Sequence, residues 1–593
     1  MSGLLDHVQV HLVENADDAG EAARWLSTRE SVALDTETTG LNLRHDRVRL
    51  LQLGDPDQAW VFPLDHPRSW GGLALSLLDR YTGRVICHHL KFDYAMLNRD
   101  LSLHIDPTRL EDTMLMARVL EPTRSAALKR LSASMVDSRA AVMDRELANA
   151  MNLSGYGWDT VPINFQTYWF YAGVDAILTH RIHDIMVEKL AADQTTAYQL
   201  ELAAALVCSR MERHGVKIDT QLATKYYGEL QQYVEAVARW CVSNYGVSPG
   251  SNADVVKVLV EAGHTFIKLT KGGAVCLDKE VLSEVDHPLA HEVLRRRQAQ
   301  KIASTYLRHF IEDVDDEMRL YPSINTCEAK TSRMSMSGPN FQQLPRASDD
   351  NPLSKIVRQC VVPGDGHTLL LCDFDQIEWR LFASLANDPD LQAAFGGDDF
   401  FTVICRNVFH DPGIRKSDPR RQTTKNAMYA RIYGAGTAKF AWTAGITFDE
   451  AEMFTALLDQ SYPAIRRLQM GIDAQARQGL TSTGTAYVRS PLTNRRFVID
   501  DDATYKLVNY LFQGTAAEIL KMKLIQLEQA GLGDFLVLPV HDEVILEVPD
   551  DQLTDVARTV YETMNDASLF AVPLTASCAV GARWGDKQEY TVA

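Results

Sequence analysis

The stretch from Leu536 to Val548 constrains the fold more than any other. It reads LVLPVHDEVILEV, two apolar runs of strand length on either side of His541-Asp542-Glu543. Runs of this length and composition suit half-buried or buried strands, and they predict a hairpin with two carboxylates at its tip. Carboxylates next to an apolar core are costly unless paired or bound to a metal. Taken alone, the tip reads equally well as an ordinary polar turn. A second stretch, Thr368 to Ala386 (TLLLCDFDQIEWRLFASLA), changes that. There an apolar strand delivers Asp373 to its end. A helix follows, with Ile377, Leu381, Phe382 and Leu385 at helical spacing and Glu378 and Arg380 off that stripe. If the two strands pair, Asp373 and Asp542 converge. Two such carboxylates can hold two divalent ions about 4 Å apart, an arrangement that stabilises attacking and leaving oxygens in phosphoryl transfer.

These residues resemble the palm motifs of family A DNA polymerases, the bacterial polymerase I family. DFDQIEWR is similar to their first motif and VHDEV to their third. RQTTKNAMYARIYGAG, from Arg421 to Gly436, lies between them and resembles the second. Three motifs in order are far more specific than one. The resemblance implies that Asp373, Asp542 and the Phe374 main-chain carbonyl bind two Mg2+ ions, with Mn2+ as an alternative, and that Glu543 supports the site. It also implies Gln376, Glu378, Arg421, Lys425, Tyr429, Tyr433 and His541 around the nucleotide and primer end.

At 593 residues the chain is too long for one core, and 46% hydrophobic content is that of a globular protein. No apolar run reaches membrane-spanning length, and the amino terminus lacks a basic start followed by an apolar core. No membrane partner is therefore expected. Nine scattered cysteines without a CxxC pair suit a reducing cytoplasm, the host's if the gene is a phage's, and suit neither a disulfide framework nor a zinc site. The formal net charge of −18 runs against nucleic-acid binding as a whole-chain statement, but binding depends on local patches. Basic residues cluster at Arg295–Arg297 with Lys301, from Arg415 to Lys425, at Arg466-Arg467, and at Arg489 with Arg495-Arg496. A basic cleft on an acidic body is expected, with affinity that falls steeply with salt.

Residues 1–190 read as one unit. SVALDTETTG is a short strand carrying Asp35 and Glu37, which alternation places on one face. Another strand leads through His88 and His89 into a helix carrying Asp93. Tyr171 and Asp175, four apart, share a helix face. Together they resemble the DEDD 3′–5′ exonuclease domain that proofreads in family A polymerases. That resemblance implies an RNase H-like fold, with Asp35, Glu37, Asp93 and Asp175 as metal ligands and Tyr171 orienting the attacking water. One departure is His89, where the family often has Asn.

Residues 191–593 are expected to form a right-hand polymerase domain: thumb about 195–320, palm about 321–390 and 480–593, and fingers about 391–479. The implied fold is therefore α/β and α+β, multidomain. Periodic stretches near Gln221–Asn244 and Leu289–Val314 suit thumb helices gripping phosphates. TSRMS and PNFQQLP resemble loops in which Arg333, Asn340 and Gln342 contact DNA. Arg333 and Gln342 would reach minor-groove acceptors, which every correct pair presents. Ser332 stands where the family has Gly. By the same resemblance Arg495, Arg496, Asn509 and Gln513 touch primer–template. Arg421, Lys425, Tyr429 and Tyr433 recur every four residues, so they form one slowly drifting stripe. That stripe is basic at one end for a triphosphate and aromatic at the other for a base. Further departures are Phe374, Asp375 and the Phe401-Thr402 pair, the last where relatives often have a His.

The expected activity is template-directed DNA synthesis with proofreading, by a monomer acting on primer–template DNA and deoxynucleoside triphosphates, with replication accessory proteins as candidate partners. The chain begins almost at the exonuclease, so no 5′-nuclease domain is expected, a layout like that of phage replicative enzymes. Three rival classes are a single-subunit RNA polymerase, a DEDD nuclease with a silent polymerase fold, and a non-catalytic scaffold. Glu378 and the proofreading unit weigh against the first, and two complete acid clusters against the others.

Overall fold

Strand Ser31–Thr38 is the centre of a six-stranded mixed sheet whose order is Gln9–Leu12, Gln58–Pro63, Val48–Gly54, Ser31–Thr38, Arg84–Cys87, Leu110–Asp112. It pairs antiparallel with Val48–Gly54 and parallel with Arg84–Cys87. Val48–Gly54 is buried along its whole length, as expected of an apolar strand covered on both faces. Helix Gln166–Leu190 packs across this sheet. The approach is close enough that a Cβ on Gly173 would fall 2.3 Å from Val10 Cγ1, so only glycine fits there. This helix carries Tyr171 and Asp175 over the strand that bears Asp35 and Glu37. The computed structural model describes residues 7–65, 70–191, 193–270, 272–344, 353–397, 399–499 and 503–592. Pro345 of the PNFQQLP motif lies outside them.

The second sheet is antiparallel, ordered Leu536–Val540, Glu543–Pro549, His367–Phe374, Ala576–Gly581, Gln588–Glu589. The hairpin read from the sequence is present: the two apolar runs pair, and His541, at φ 60°, lies in the turn between them. Helix Leu553–Met564 packs on this sheet, and helices Ile377–Ala386 and Lys506–Leu527 meet edge-to-face through Phe382 and Phe512, centroids 5.4 Å apart. Helix Thr220–Tyr245 packs on Pro288–Ile302. The second of these does not continue unbroken to Val314: a π-helical turn, Ala303–Leu307, interrupts it, which regular 3.6-residue spacing does not foresee. Val237, Cys241, Val255, Leu259 and Leu282 close a separate small core at the far end of this pair. Helices Phe400–Phe409, Pro419–Ile432, Thr437–Ala444, Phe448–Ser461 and Pro463–Thr483 form the remaining layer. Among the described residues no helix is long and apolar enough to cross a membrane, and all nine cysteines are free thiols.

Candidate active sites

Ladder register brings the central acids together. Asp373 lies directly opposite Glu543, and the Asp542 carbonyl accepts from the Phe374 N–H at 3.3 Å. Burial and repulsion from Asp542 and Glu543 push the Asp373 carboxyl up to about 7. Lys587, from the chain's end, pairs with Glu543 and offsets part of that repulsion. Carboxylates crowded to this degree suit hard divalent cations. Asp375, the departure from the family's Ser, turns aside from this cluster: Thr575 and Ser577 hydroxyls donate to it at 3.0 and 2.8 Å.

Helix Ile377–Ala386 starts from left-handed Gln376, φ 56°, and this turns Glu378 out beside the acids. The Glu378 carboxylate accepts from Arg333 at 2.5 Å. Helix Pro419–Ile432 begins with Asp418 capping and Pro419 in the first turn, a favoured start. Arg421 donates two bonds of 2.7 Å to Asp399, whose carboxyl is drawn down to about 2 by this and by Thr402. Lys425 Nζ stands 5.8 Å from the Phe401 ring and 5.9 Å from that of Tyr429. Tyr429 and Tyr433 lie parallel, 5.8 Å apart at 9°. Tyr433 is the helix C-cap and not part of its interior. Gly434 follows at φ +63°, where a Cβ would meet the Tyr505 carbonyl at 2.4 Å. Phe401 stacks on Tyr429 at 6.1 Å and packs on Trp379 at 5.1 Å. An aromatic wall thus stands beside Lys425.

The other expected DNA contacts divide. Gln342 Nε2 donates to the Pro539 carbonyl at 3.3 Å, which ties its loop to the hairpin. The Asn340 side chain caps the next turn, so its oxygen is engaged locally. Gln513 bonds Tyr433. The Asn509 Oδ1 is buried without a protein partner. Arg496 stands 3.9 Å from Asp193. Arg495 does not face a DNA surface. It is 1% exposed and paired with buried Glu201, and that interior ion pair takes it out of reach of a phosphate. Of the basic clusters, Arg297 is tied to Leu277 and Asn252, and Arg420 to Asp411 and Asp418.

The second acid cluster lies on the first sheet. Asp35 and Glu37 share a face of their strand, and Asp93 enters from helix Leu90–Leu101. Thr36 donates to Asp93 at 2.7 Å. Burial lifts Asp35 to about 6, and burial together with Asp35 lifts Glu37 to about 8. Two side chains escape the sequence reading. Lys129 pairs with Asp175 and sits 4.0 Å from the Tyr171 ring, and the Tyr171 hydroxyl donates to Asp144 at 2.7 Å. No spacing relates Lys129 or Asp144 to the acids, and both come from helices with ordinary patterning. His89 sits at φ 74° as the N-cap before Asp93's helix, where the Asp112 carboxylate accepts from the His89 and Leu90 N–H groups. Among the described residues no three His, Cys, Asp or Glu side chains are gathered as ligands of one ion; Lys129 holds Asp175 and Thr36 holds Asp93. The four acids still match divalent-ion chemistry as a donor set: they offer only oxygen, and Asp35 repels both Glu37 and Asp93.

Asp35 and Glu37 bind protons more tightly in the folded chain than in an unfolded one. Their contribution to stability is therefore present at low pH and lost as pH rises towards 8. In metal chelator, Glu37→Gln should become progressively more stable than wild type between pH 5 and pH 8, read by thermal melts of the amino-terminal unit. Magnesium should stabilise wild type more at pH 8 than at pH 5. A gap that narrows with pH would contradict this.

Residues 216–586 match the family described as DNA polymerase family A, and residues 10–191 match that described as 3′–5′ exonuclease. The chain is 27% identical to the DNA polymerase of Mycobacterium phage D29, over 98% of each. It is 27% identical to the DNA polymerase of Mycobacterium phage L5, over 95% of this chain and 94% of that relative. It is 28% identical to DNA polymerase I of Pseudomonas aeruginosa, over 96% of this chain and 65% of the relative. Among solved structures, the POL domain of Pol1 from M. smegmatis, in complex with DNA primer-template and dNTP, superposes with a TM-score of 0.79 at 22% identity, covering 97% of this chain and 99% of that one.

Proposed function

The chain belongs to DNA polymerase family A and is a DNA polymerase with a 3′–5′ exonuclease domain, and from that premise we propose which of its residues carry each activity. Domains of both kinds use divalent metal ions. Asp373, Asp542 and the Phe374 carbonyl would hold two Mg2+ ions at the palm, a pair that would supply acidification of the primer 3′-OH and charge neutralisation for the pyrophosphate. The observation that carries this reading is the register of Asp373 opposite Glu543, which sets Asp542 beside it.

Glu543 stays paired with Lys587, whose ammonium tempers the field of the three carboxylates. Lys425 and Arg421 stabilise the triphosphate. Arg421 does so by sharing or leaving Asp399, and Lys425 can also protonate the leaving group. Tyr429 and Tyr433 offer a flat aromatic face to the nascent pair, Gln376 shapes the loop under the sugar, and His541 lies at the primer end. In the exonuclease unit Asp35, Glu37, Asp93 and Asp175 would hold the ions, and Tyr171 would orient the attacking water. Residues 1–190 form that unit and 191–593 the polymerase. The substrates are primer–template DNA and deoxynucleoside triphosphates, and the enzyme acts as a monomer, with accessory proteins as candidate partners. The two phage relatives support a role in phage genome replication in the host cytoplasm. An RNA polymerase is disfavoured by both family matches. Primer extension and primer degradation on primed DNA with Mg2+ test the proposal, and absence of both would overturn it.

Two substitutions probe substrate choice. The Glu378 side chain narrows the space beside a ribose 2′ position. Glu378→Ala should raise ribonucleotide incorporation relative to deoxynucleotide by roughly tenfold to hundredfold, and unchanged sugar discrimination would remove it from that role. The Tyr429 hydroxyl can stand in for a missing 3′-OH contact. Wild type should accept dideoxynucleotides efficiently, and Tyr429→Phe should reject them by about tenfold or more. A wild type that discriminates strongly would contradict this.

A further inference from the structure

The ion pair that removes Arg495 from the surface belongs to a buried cluster with a consequence for the DNA-facing loop. Glu201 on helix Thr195–His214 and Lys521 on helix Lys506–Leu527 are both fully buried. Lys521 Nζ donates to Glu201 at 2.6 Å, and to the carbonyl and the hydroxyl of Ser332 at 2.8 Å each. The Ser332 hydroxyl donates in turn to the same Glu201 oxygen at 2.8 Å, and Arg495 reaches that oxygen from the other side. Ser332 is itself fully buried at φ 57°, a left-handed conformation that costs a side-chain-bearing residue and in which glycine is at ease. The next residue is Arg333, whose guanidinium meets Glu378.

We infer that Glu201, Lys521 and Arg495 are positioning residues for Arg333. The ionic cluster grips both the carbonyl and the hydroxyl of Ser332, holds that residue left-handed, and so fixes the direction in which Arg333 leaves the loop. The physical grounds are specific. Charges this deep are costly unless bonded; Glu201 Oε1 collects Lys521, Arg495 and Ser332 while its Oε2 has no hydrogen-bond partner, and three of the cluster's bonds go to one strained residue. Serine is tolerated at this left-handed position because its hydroxyl completes the cluster that imposes the conformation. It rests on the reading of Arg333 as a donor to the minor groove at the primer end.

The test uses the full chain carrying Asp35→Ala, so that degradation does not obscure extension. Single-nucleotide addition is compared on primers ending in guanine and in 3-deazaguanine, which lacks the minor-groove N3 acceptor. Wild-type polymerase should be slowed on the analogue by roughly tenfold to hundredfold, and Arg333→Ala should lose that penalty. Lys521→Met should lose most of it, and adding Lys521→Met to Arg333→Ala should slow extension no further. Ser332→Ala leaves the ion pairs standing and removes only the hydroxyl. It should cut the penalty severalfold and decides the matter if Lys521→Met does not fold, as judged by its melting curve. Folded Lys521→Met or Ser332→Ala with the full wild-type penalty would overturn the inference while leaving Arg333's role intact. A penalty that persists in Arg333→Ala would overturn that role and the inference with it.

Discussion

Asp542→Ala is expected to lower primer extension by about 10³-fold or more, the scale of losing a ligand to catalytic ions, while the protein still degrades primer at the wild-type rate. The geometry makes the two outcomes separable. Asp542 follows His541 in the hairpin turn, beside the end of the strand bearing Asp373. Asp35 and Glu37 lie on a different sheet, and Asp93 and Asp175 on helices packed with it. Folding should survive the change. Asp373 is raised to about 7 partly by Asp542, so deleting that neighbour relieves repulsion and the melting temperature in metal chelator should hold or rise. Primer extension and thermal melts measure both. Retained synthesis would show that the ions, if bound, do not depend on this side chain.

Asp35→Ala is the converse. Primer degradation should fall by a similar factor of about 10³, with extension unchanged. Asp35 sits centrally among the acids: it raises both Glu37 and Asp93 by direct repulsion, the position of a group that shares cations with its neighbours. Removing it also leaves Lys129 facing less negative charge. A variant that still trims mismatched primers at the wild-type rate would take the catalytic centre away from this strand.

Legibility differed between the two sites. In the palm, all three acids stand in short motifs at the ends of recognisably apolar strands, so spacing and pattern mark them in the sequence. The exonuclease acids were less legible by pattern: a lone Asp-x-Glu is a weak signal, and it is the resemblance to the DEDD unit that picks out Asp35, Glu37, Asp93 and Asp175 together. Their cationic partner was not legible at all. Lys129 reaches Asp175 from a separate helix, and nothing local marks a lysine that points inward. The same limit produced the error at Arg495. A run of basic residues reads as a surface that meets phosphate, but the partner that buries Arg495 is Glu201, 294 residues away in the chain.

The order of polar and apolar residues therefore determined the strands, the helices, the hairpin and which carboxylates stand at strand ends, because alternation and helical periodicity are properties of neighbours along the chain. Tertiary structure alone decided the pairings. It aligned Asp373 with Glu543, set Lys587 against that acid, closed Asp399 on Arg421, put an aromatic wall at Phe401, and gathered Glu201, Lys521 and Arg495 around Ser332. Each of these depends on which charges meet in a place water has left, and sequence-local rules carry no information about that meeting.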